Sequence, residues 1–246
     1  MRKIRIFLRN FSFSVAQHLH RRITRSSAKQ LSDLIFVIDD HYGGTRGSSI
    51  GRAYIDEYIA KFAARELDGG LRILEVGDNT YSSDYFLDSE SYILEFIPHS
   101  PLVVDSMNQK IRGDLTVVSS LENYFDIIVS TCTLAFTKNP FAAVKSYERI
   151  LKPGGTLIGV EPFLMQISEW DYEEYGEYFR FTDLGLRELI YSSFKGSPIM
   201  GVSALGNRKT TLAQLHGLVL EDGIKKTTKH ESKYATLFGY FVRKDT

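Results

Sequence analysis

The run LRILEVGDNTY at 71–81 constrains the fold of this chain more than any other stretch. Leu71, Ile73, Leu74 and Val76 make a short apolar strand that carries Glu75. The strand breaks at Gly77, where a missing Cβ lets backbone approach a ligand closely. A strand entering such a turn is the usual opening of a nucleotide-binding α/β unit. Further strand candidates follow at 92–97, 115–118, 125–130, 155–160, 198–203 and 235–242. Helical stretches at 139–151, 182–193 and 208–221 separate several of them, and within 45–67 a helix capped by Ser48 or Ser49, with Ile55, Ile59 and Phe62 on its apolar face, leads into Leu71. Strands alternating with helices predict a mostly parallel sheet covered on both faces. The last two strand candidates enclose a helix, so local signals do not fix their pairing.

In such a sheet a ligand sits at the carboxyl ends of the strands. Glu95 lies there, 20 residues after Glu75, where a carboxylate accepts from ribose hydroxyls. Asp105 is its rival, because LVVD (102–105) reads as an alternative second strand. Asp114 precedes the third strand candidate or closes a shorter one. Lys152-Pro153-Gly154-Gly155 stops a helix and turns into a strand, a structural role.

Charge narrows the partners. Residues 1–32 hold eight Lys or Arg and no acid, leaving 22 basic and 30 acidic residues beyond them. A body at a net −8 lacks the basic surface that nucleic acid demands. In the arm, Ile4, Leu8, Phe11, Val15 and Leu19 recur at helical steps among basic residues. Residues 1–42 therefore read as a basic amphipathic arm and 43–246 as one domain. The arm packs on protein or lies on an anionic membrane surface; a cleaved signal peptide is the weaker alternative, since Arg9 interrupts the apolar region. The single cysteine, Cys132, allows no internal disulfide and no Cys-rich zinc site, and no His/Asp/Glu cluster argues for a metal. The expected location is cytoplasmic, with peripheral contact at the inner membrane face through residues 1–30.

With these residues in place, the chain resembles the class I S-adenosylmethionine-dependent methyltransferases over roughly residues 43–243. It is most similar to a bacterial subgroup associated with surface-polysaccharide synthesis. The resemblance rests on RGSSIGRAYI (46–55), LEVGDNTY (74–81), LKPGG (151–155), QISEWDYEEYGEYFRFT (166–182) and GN…LHGL (206–218). It implies a Rossmann-like fold with a seven-stranded, mostly parallel sheet and helices on both faces. It also implies S-adenosylmethionine as cofactor, with Glu75, Gly77, Asp78, Asn79, Thr80 and Tyr81 around the methionine part. Glu95 would take the ribose and Asp114 the adenine side, while Ser130 and Thr131 would border the sulfonium. The family's Gly-x-Gly-x-Gly turn reads Gly77-Asp78-Asn79-Thr80-Tyr81 here. Asn79 is expected to accept a left-handed backbone in place of glycine, and Tyr81 to add bulk beside the cofactor carboxylate.

Methyl transfer needs an aligned acceptor in a dry site, and a poor nucleophile such as a sugar hydroxyl also needs a base. The segment 166–182 is the expected acceptor-side cover. Asp171, Glu174 and His216 are the candidate bases. Trp170 and Tyr178 offer aromatic planes to a sugar, and Arg180 an anchor for phosphate or carboxylate. The leading reading is an O-methyltransferase acting on a sugar of a polysaccharide or glycolipid-linked glycan. Its rival is a catalytically weak methyltransferase-like module that binds a glycosyltransferase partner. A nicotinamide-dependent oxidoreductase would need Gly-x-Gly-x-x-Gly, and no glycine follows Gly77 before the next strand.

Overall fold

A computed structural model describes residues 47–65 and 69–246, all within the unit spanning Asp39–Thr246. The basic arm lies outside the described residues. Helix α1 (Ile50–Ala63) starts at Ser49, whose Oγ accepts from the Arg52 N–H at 3.1 Å, a side-chain cap for an otherwise orphaned donor. Its buried Ile55 and Ile59 and half-buried Phe62 face the sheet, the stripe expected from their spacing.

Strand β1 (Arg72–Val76) pairs in parallel with β2 (Glu90–Phe96) on one side and β5 (Phe125–Thr131) on the other. Strand β4 (Lys110–Gly113) continues the parallel set beyond β2, and β6 (Leu151–Pro162) beyond β5. Two antiparallel additions finish the sheet. The short β3 (Val103–Asp105) lines the β4 edge, and β8 (Leu237–Arg243) lies between β6 and β7 (Ile199–Leu205). The order is β3-β4-β2-β1-β5-β6-β8-β7, giving eight strands where seven were expected.

The extra strand is LVVD, which forms an edge and not the second strand. The expected strand at 115–118 is a turn instead. Asp114 folds it, accepting from the Thr116 N–H and hydroxyl at 2.8 and 2.7 Å while Val117 N–H returns to the Asp114 carbonyl. An Asx-type turn of this kind outcompetes a strand ladder.

Residues alternate between two cores, as parallel strands buried on both faces require. Leu74, Ile128 and Leu157 join Tyr147 of α3 (Pro140–Ile150) and Leu186 of α5 (Asp183–Tyr191). Their neighbours Ile73, Ile127 and Ile158 pack with α1 on the other face. Gly159 is required between β5 and its neighbours: an added Cβ would lie 2.3 Å from the Ser130 carbonyl oxygen and 2.4 Å from the Tyr240 ring. The helix expected over 208–221 ends early. Helix α6 (Arg208–Leu215) stops at His216, and Gly217 takes φ +69°, a common helix end. Among the described residues, no helix is long and apolar enough to cross a membrane.

Candidate functional site

The carboxyl ends of the five parallel strands form one row of tips, and the chemistry-bearing residues gather along it. After β1 the chain turns into the short helix α2 (Thr80–Tyr85). Glu75 is buried beneath this turn, its two oxygens accepting from the Tyr81 N–H at 3.1 Å and the Ser82 N–H at 2.7 Å. Burial pushes its carboxyl up, against the pull of those N–H groups. Glu75 therefore holds the turn and is not itself a wall of the ligand space. Gly77, at φ +118°, needs its missing side chain, and an added Cβ would meet nothing within 4 Å. The space in front of the turn is open. Asp78 Oδ1 accepts from the Thr80 N–H at 3.1 Å.

Two expectations about this turn are corrected. Asn79 has φ −109° and adopts no left-handed backbone, so it does not stand in for a glycine. Tyr81 is buried, stacks near Tyr85 with ring centroids 6.4 Å apart, and accepts from Arg52 Nη1 at 2.6 Å. Its ring fills the layer between α2 and α1, and burial pushes its phenol up to about 12.

At the β2 tip, Glu95 stands opposite Arg112 of β4 in register. Lys110 Nζ at 3.1 Å and Arg112 Nε at 3.2 Å hold its carboxyl below the usual carboxylate range. Asp105 is opposite Lys110, at the start of β4 and away from the tips, where Asn108 and Arg112 engage it. The geometry favours Glu95 over Asp105 as the tip acid. Asp114 closes β4. Its burial alone would raise the carboxyl, but bonds from Thr116 and the His99 N–H (3.1 Å) outweigh that and lower it. It ties the loops after β2 and β4 together.

The β5 and β6 tips are built differently. The Ser130 hydroxyl lies 3.1 Å from Tyr147 Oη inside the core, so it does not border a ligand as expected; Thr131, the next residue, is half-buried. Cys132 follows at φ +56°, a backbone that non-glycine residues rarely hold. Burial, with Glu161 adding to it, pushes its thiol up to about 12. Glu161, fully buried near the β6 end, accepts from the Leu134 and Ala135 N–H groups at 3.1 and 3.0 Å. Burial pushes this carboxyl up to about 8, with the two N–H bonds opposing. The Ala135 carbonyl in turn accepts from Tyr178 and Phe179 N–H at 2.8 and 3.2 Å, which seats the 166–182 segment on the β5 tip. Arg52, Arg180, Glu161 and Asp171 all act electrostatically on Cys132.

Of the expected acceptor-side residues, Asp171 is there, in α4 (Glu169–Glu174), accepting from the Ser168 hydroxyl at 2.6 Å. Glu174 is not. It faces solvent and accepts from Trp170 Nε1 at 3.1 Å. Trp170 is 77% exposed and Tyr178 is exposed beside Lys138. His216 closes α6, with Nδ1 buried and unpartnered among the described residues. The neighbouring Leu215 carbonyl accepts from Gln166 Nε2 of the cover at 3.1 Å. Arg180 pairs with Glu177 through Nη2, which leaves Nη1 without a partner among the described residues.

Arg52, Glu161 and Glu177 join the site without having been singled out from sequence. Arg52 and Glu177 sit inside quoted motifs, and Glu161 ends an apolar strand (LIGVE), a position that marks a tip acid. Among the described residues, no cluster could hold a metal ion.

S-adenosylmethionine brings a carboxylate, a sulfonium, a ribose diol and adenine. The open space at Gly77, the guanidinium of Arg52 and the tip acid Glu95 suit the first and third of these. Residues 92–159, from β2 into β6, match the family model of a methyltransferase domain. Among solved structures, the fold is similar to a putative sarcosine dimethylglycine methyltransferase from Galdieria sulphuraria. The identity there is 13% and the TM-score 0.51, covering 79% of this chain and 86% of that one. It is also similar to the CurJ carbon methyltransferase at 12% identity and TM-score 0.50, over 81% of this chain and 56% of that one. A possible histamine N-methyltransferase from Thermotoga maritima shares 17% identity at TM-score 0.48, over 78% and 89%. No match was found among curated proteins. The fold is a Rossmann-like methyltransferase fold.

Proposed function

We propose that this methyltransferase-fold enzyme transfers the methyl group of S-adenosylmethionine to a sugar hydroxyl, in a polysaccharide or a glycolipid-linked glycan. One observation carries the reading: the segment over the β5 and β6 tips presents exposed Trp170, Tyr172, Tyr175 and Tyr178 among carboxylates. Aromatic planes pack against the C–H faces of a sugar while carboxylates accept from its hydroxyls. S-adenosylmethionine, when bound, supplies a methyl group already activated on sulfonium. The chain's own residues then bind, align and dehydrate.

Glu75 fixes the turn before that ligand by holding two backbone N–H groups. Arg52 offers guanidinium N–H groups to its carboxylate, and Glu95 accepts from its ribose. Glu161 fixes the turn after β5, and the seated cover excludes water from the reacting atoms.

Calorimetric titration with S-adenosylmethionine tests the enzyme reading, and absence of binding at millimolar concentration would overturn it. Release of S-adenosylhomocysteine in the presence of glycans tests the acceptor class. The rival, a module binding a glycosyltransferase partner, draws on the altered glycine turn and the basic arm; Glu75 still anchors that turn through the Tyr81 and Ser82 N–H groups, and the arm lies outside the described residues.

A further inference from the structure

Glu177 and Arg180 form an ion pair whose outer valences are unmet. The Glu177 side chain is 4% exposed; one oxygen pairs with Arg180, while Oε2 has no hydrogen-bond partner among the described residues. On Arg180, Nη2 meets Glu177 and donates to the Gln166 carbonyl at 2.9 Å, while Nη1 is buried and unpartnered among the described residues. Buried polar groups are nearly always satisfied, and each unmet one costs about 1–3 kcal/mol. Here an unused acceptor and an unused donor belong to the two halves of one pair.

The pair's chemistry restricts what can complete it. An ammonium only donates and meets Arg180 as a like charge. A carboxylate or phosphate only accepts and meets Glu177 as a like charge. A hydroxyl both donates and accepts. Its position is equally specific. Tyr178 and Phe179, between the two residues, are fastened to the Ala135 carbonyl just beyond the β5 tip. Arg180 acts on Cys132 at that tip, and Glu177 acts on Glu161 of β6.

We propose that Glu177 and Arg180 are the hydroxyl-binding pair of the acceptor site, with Glu177 as the base that takes the hydroxyl proton. The proposal rests on the methyltransferase reading above. Arg180 Nη1 donates to the acceptor oxygen and Glu177 Oε2 accepts its proton. An oxygen lone pair forms the new O–CH3 bond as the S–CH3 bond breaks and its electron pair stays on sulfur. The products are a methyl ether, neutral S-adenosylhomocysteine and one proton, held first by Glu177. Burial raises the Glu177 carboxyl and Asp171 of α4 adds to this, while Arg180 opposes it, as does the Ser168 N–H, which approaches the carboxyl without a hydrogen bond to Oε2. Glu161 faces it from β6. A base raised toward neutrality is better matched to a hydroxyl than an ordinary carboxylate.

Trp170 is the chain's sole tryptophan and lies on the cover, so its fluorescence reports occupancy. Full-length protein would be titrated with the methyl glycosides of glucose, mannose and galactose, with and without S-adenosylhomocysteine. The expected result is a saturable change in the wild type that is at least about tenfold weaker in Glu177→Gln and Arg180→Gln, or about 1.4 kcal/mol of binding. Arg180→Lys should restore part of it. With a glycoside that turns over, Glu177→Gln should lose about 10²–10⁴ in kcat and the acid limb of the pH profile, at unchanged S-adenosylmethionine affinity. No saturable response to any glycoside would mean that the pair holds only water, and the proposal falls. Wild-type response in folded variants overturns it too. Calorimetry with S-adenosylmethionine on the same samples separates these outcomes from failure of the methyltransferase reading itself.

Discussion

The two halves of the strand-tip row match their charged groups differently. On the β1–β2–β4 side, Glu75, Asp114 and Glu95 are each matched by backbone N–H groups or basic side chains. On the β5–β6 side, Glu161 is matched in the same way by the Leu134 and Ala135 N–H groups, but Glu177 Oε2 and Arg180 Nη1 are buried without a partner among the described residues. Matched acids hold turns and tips in place, whereas the proposed acceptor pair keeps open valences.

The comparison breaks most easily at Glu75. Glu75→Ala strands two backbone donors at about 1–3 kcal/mol each, so it should cause the largest fall in Tm among these substitutions. Near-wild-type melting would show that the turn has another anchor. Glu161 sharpens the contrast through pH. Its folded carboxyl lies above its ordinary value, so the stability it contributes is full below about pH 4.5 and lost as pH rises through about 8. Urea titrations across that window should show a decline worth up to a few kcal/mol, flattened in Glu161→Gln; an unchanged slope would place the effect elsewhere.

The double change Glu177→Met with Arg180→Met should be neutral or slightly stabilising, because a buried pair seldom beats apolar packing. A loss of several kcal/mol on thermal melting would make the pair a structural tie. Glu95→Ala should change stability least, because a solvent-exposed pair contributes little, yet S-adenosylmethionine affinity should drop about tenfold by calorimetry. Equal affinity would remove Glu95 from the ribose position.

The parallel core was legible because Ile127–Ile128 and Leu157–Ile158 make continuous apolar runs with turn signals beside them. The 103–105 edge and the 114–117 turn were not. Three residues carry too little periodicity, and the side chain of Asp114 overrode an apolar pattern at Leu115 and Val117–Val118. In the site, strand-end acids such as Glu95 could be placed by counting along β2. Glu177 could not, since a loop has no period to say which of its five neighbouring carboxylates turns inward. Tyr81 misled for a related reason. Sequence gives the bulk of a side chain, but only the α1–α2 packing tells which way it points.

The double seat of Tyr178 and Phe179 on the Ala135 carbonyl has a consequence for acceptor size. Residues 177–180 are riveted to the frame of the sheet, while α4, upstream, buries none of its residues. The floor of the proposed acceptor site is thus fixed, and the wall beside it is adjustable. Variation in 169–175 is the place where the proposed site would widen or narrow its range of acceptors, because Glu177 and Arg180 are held from the other end of the segment.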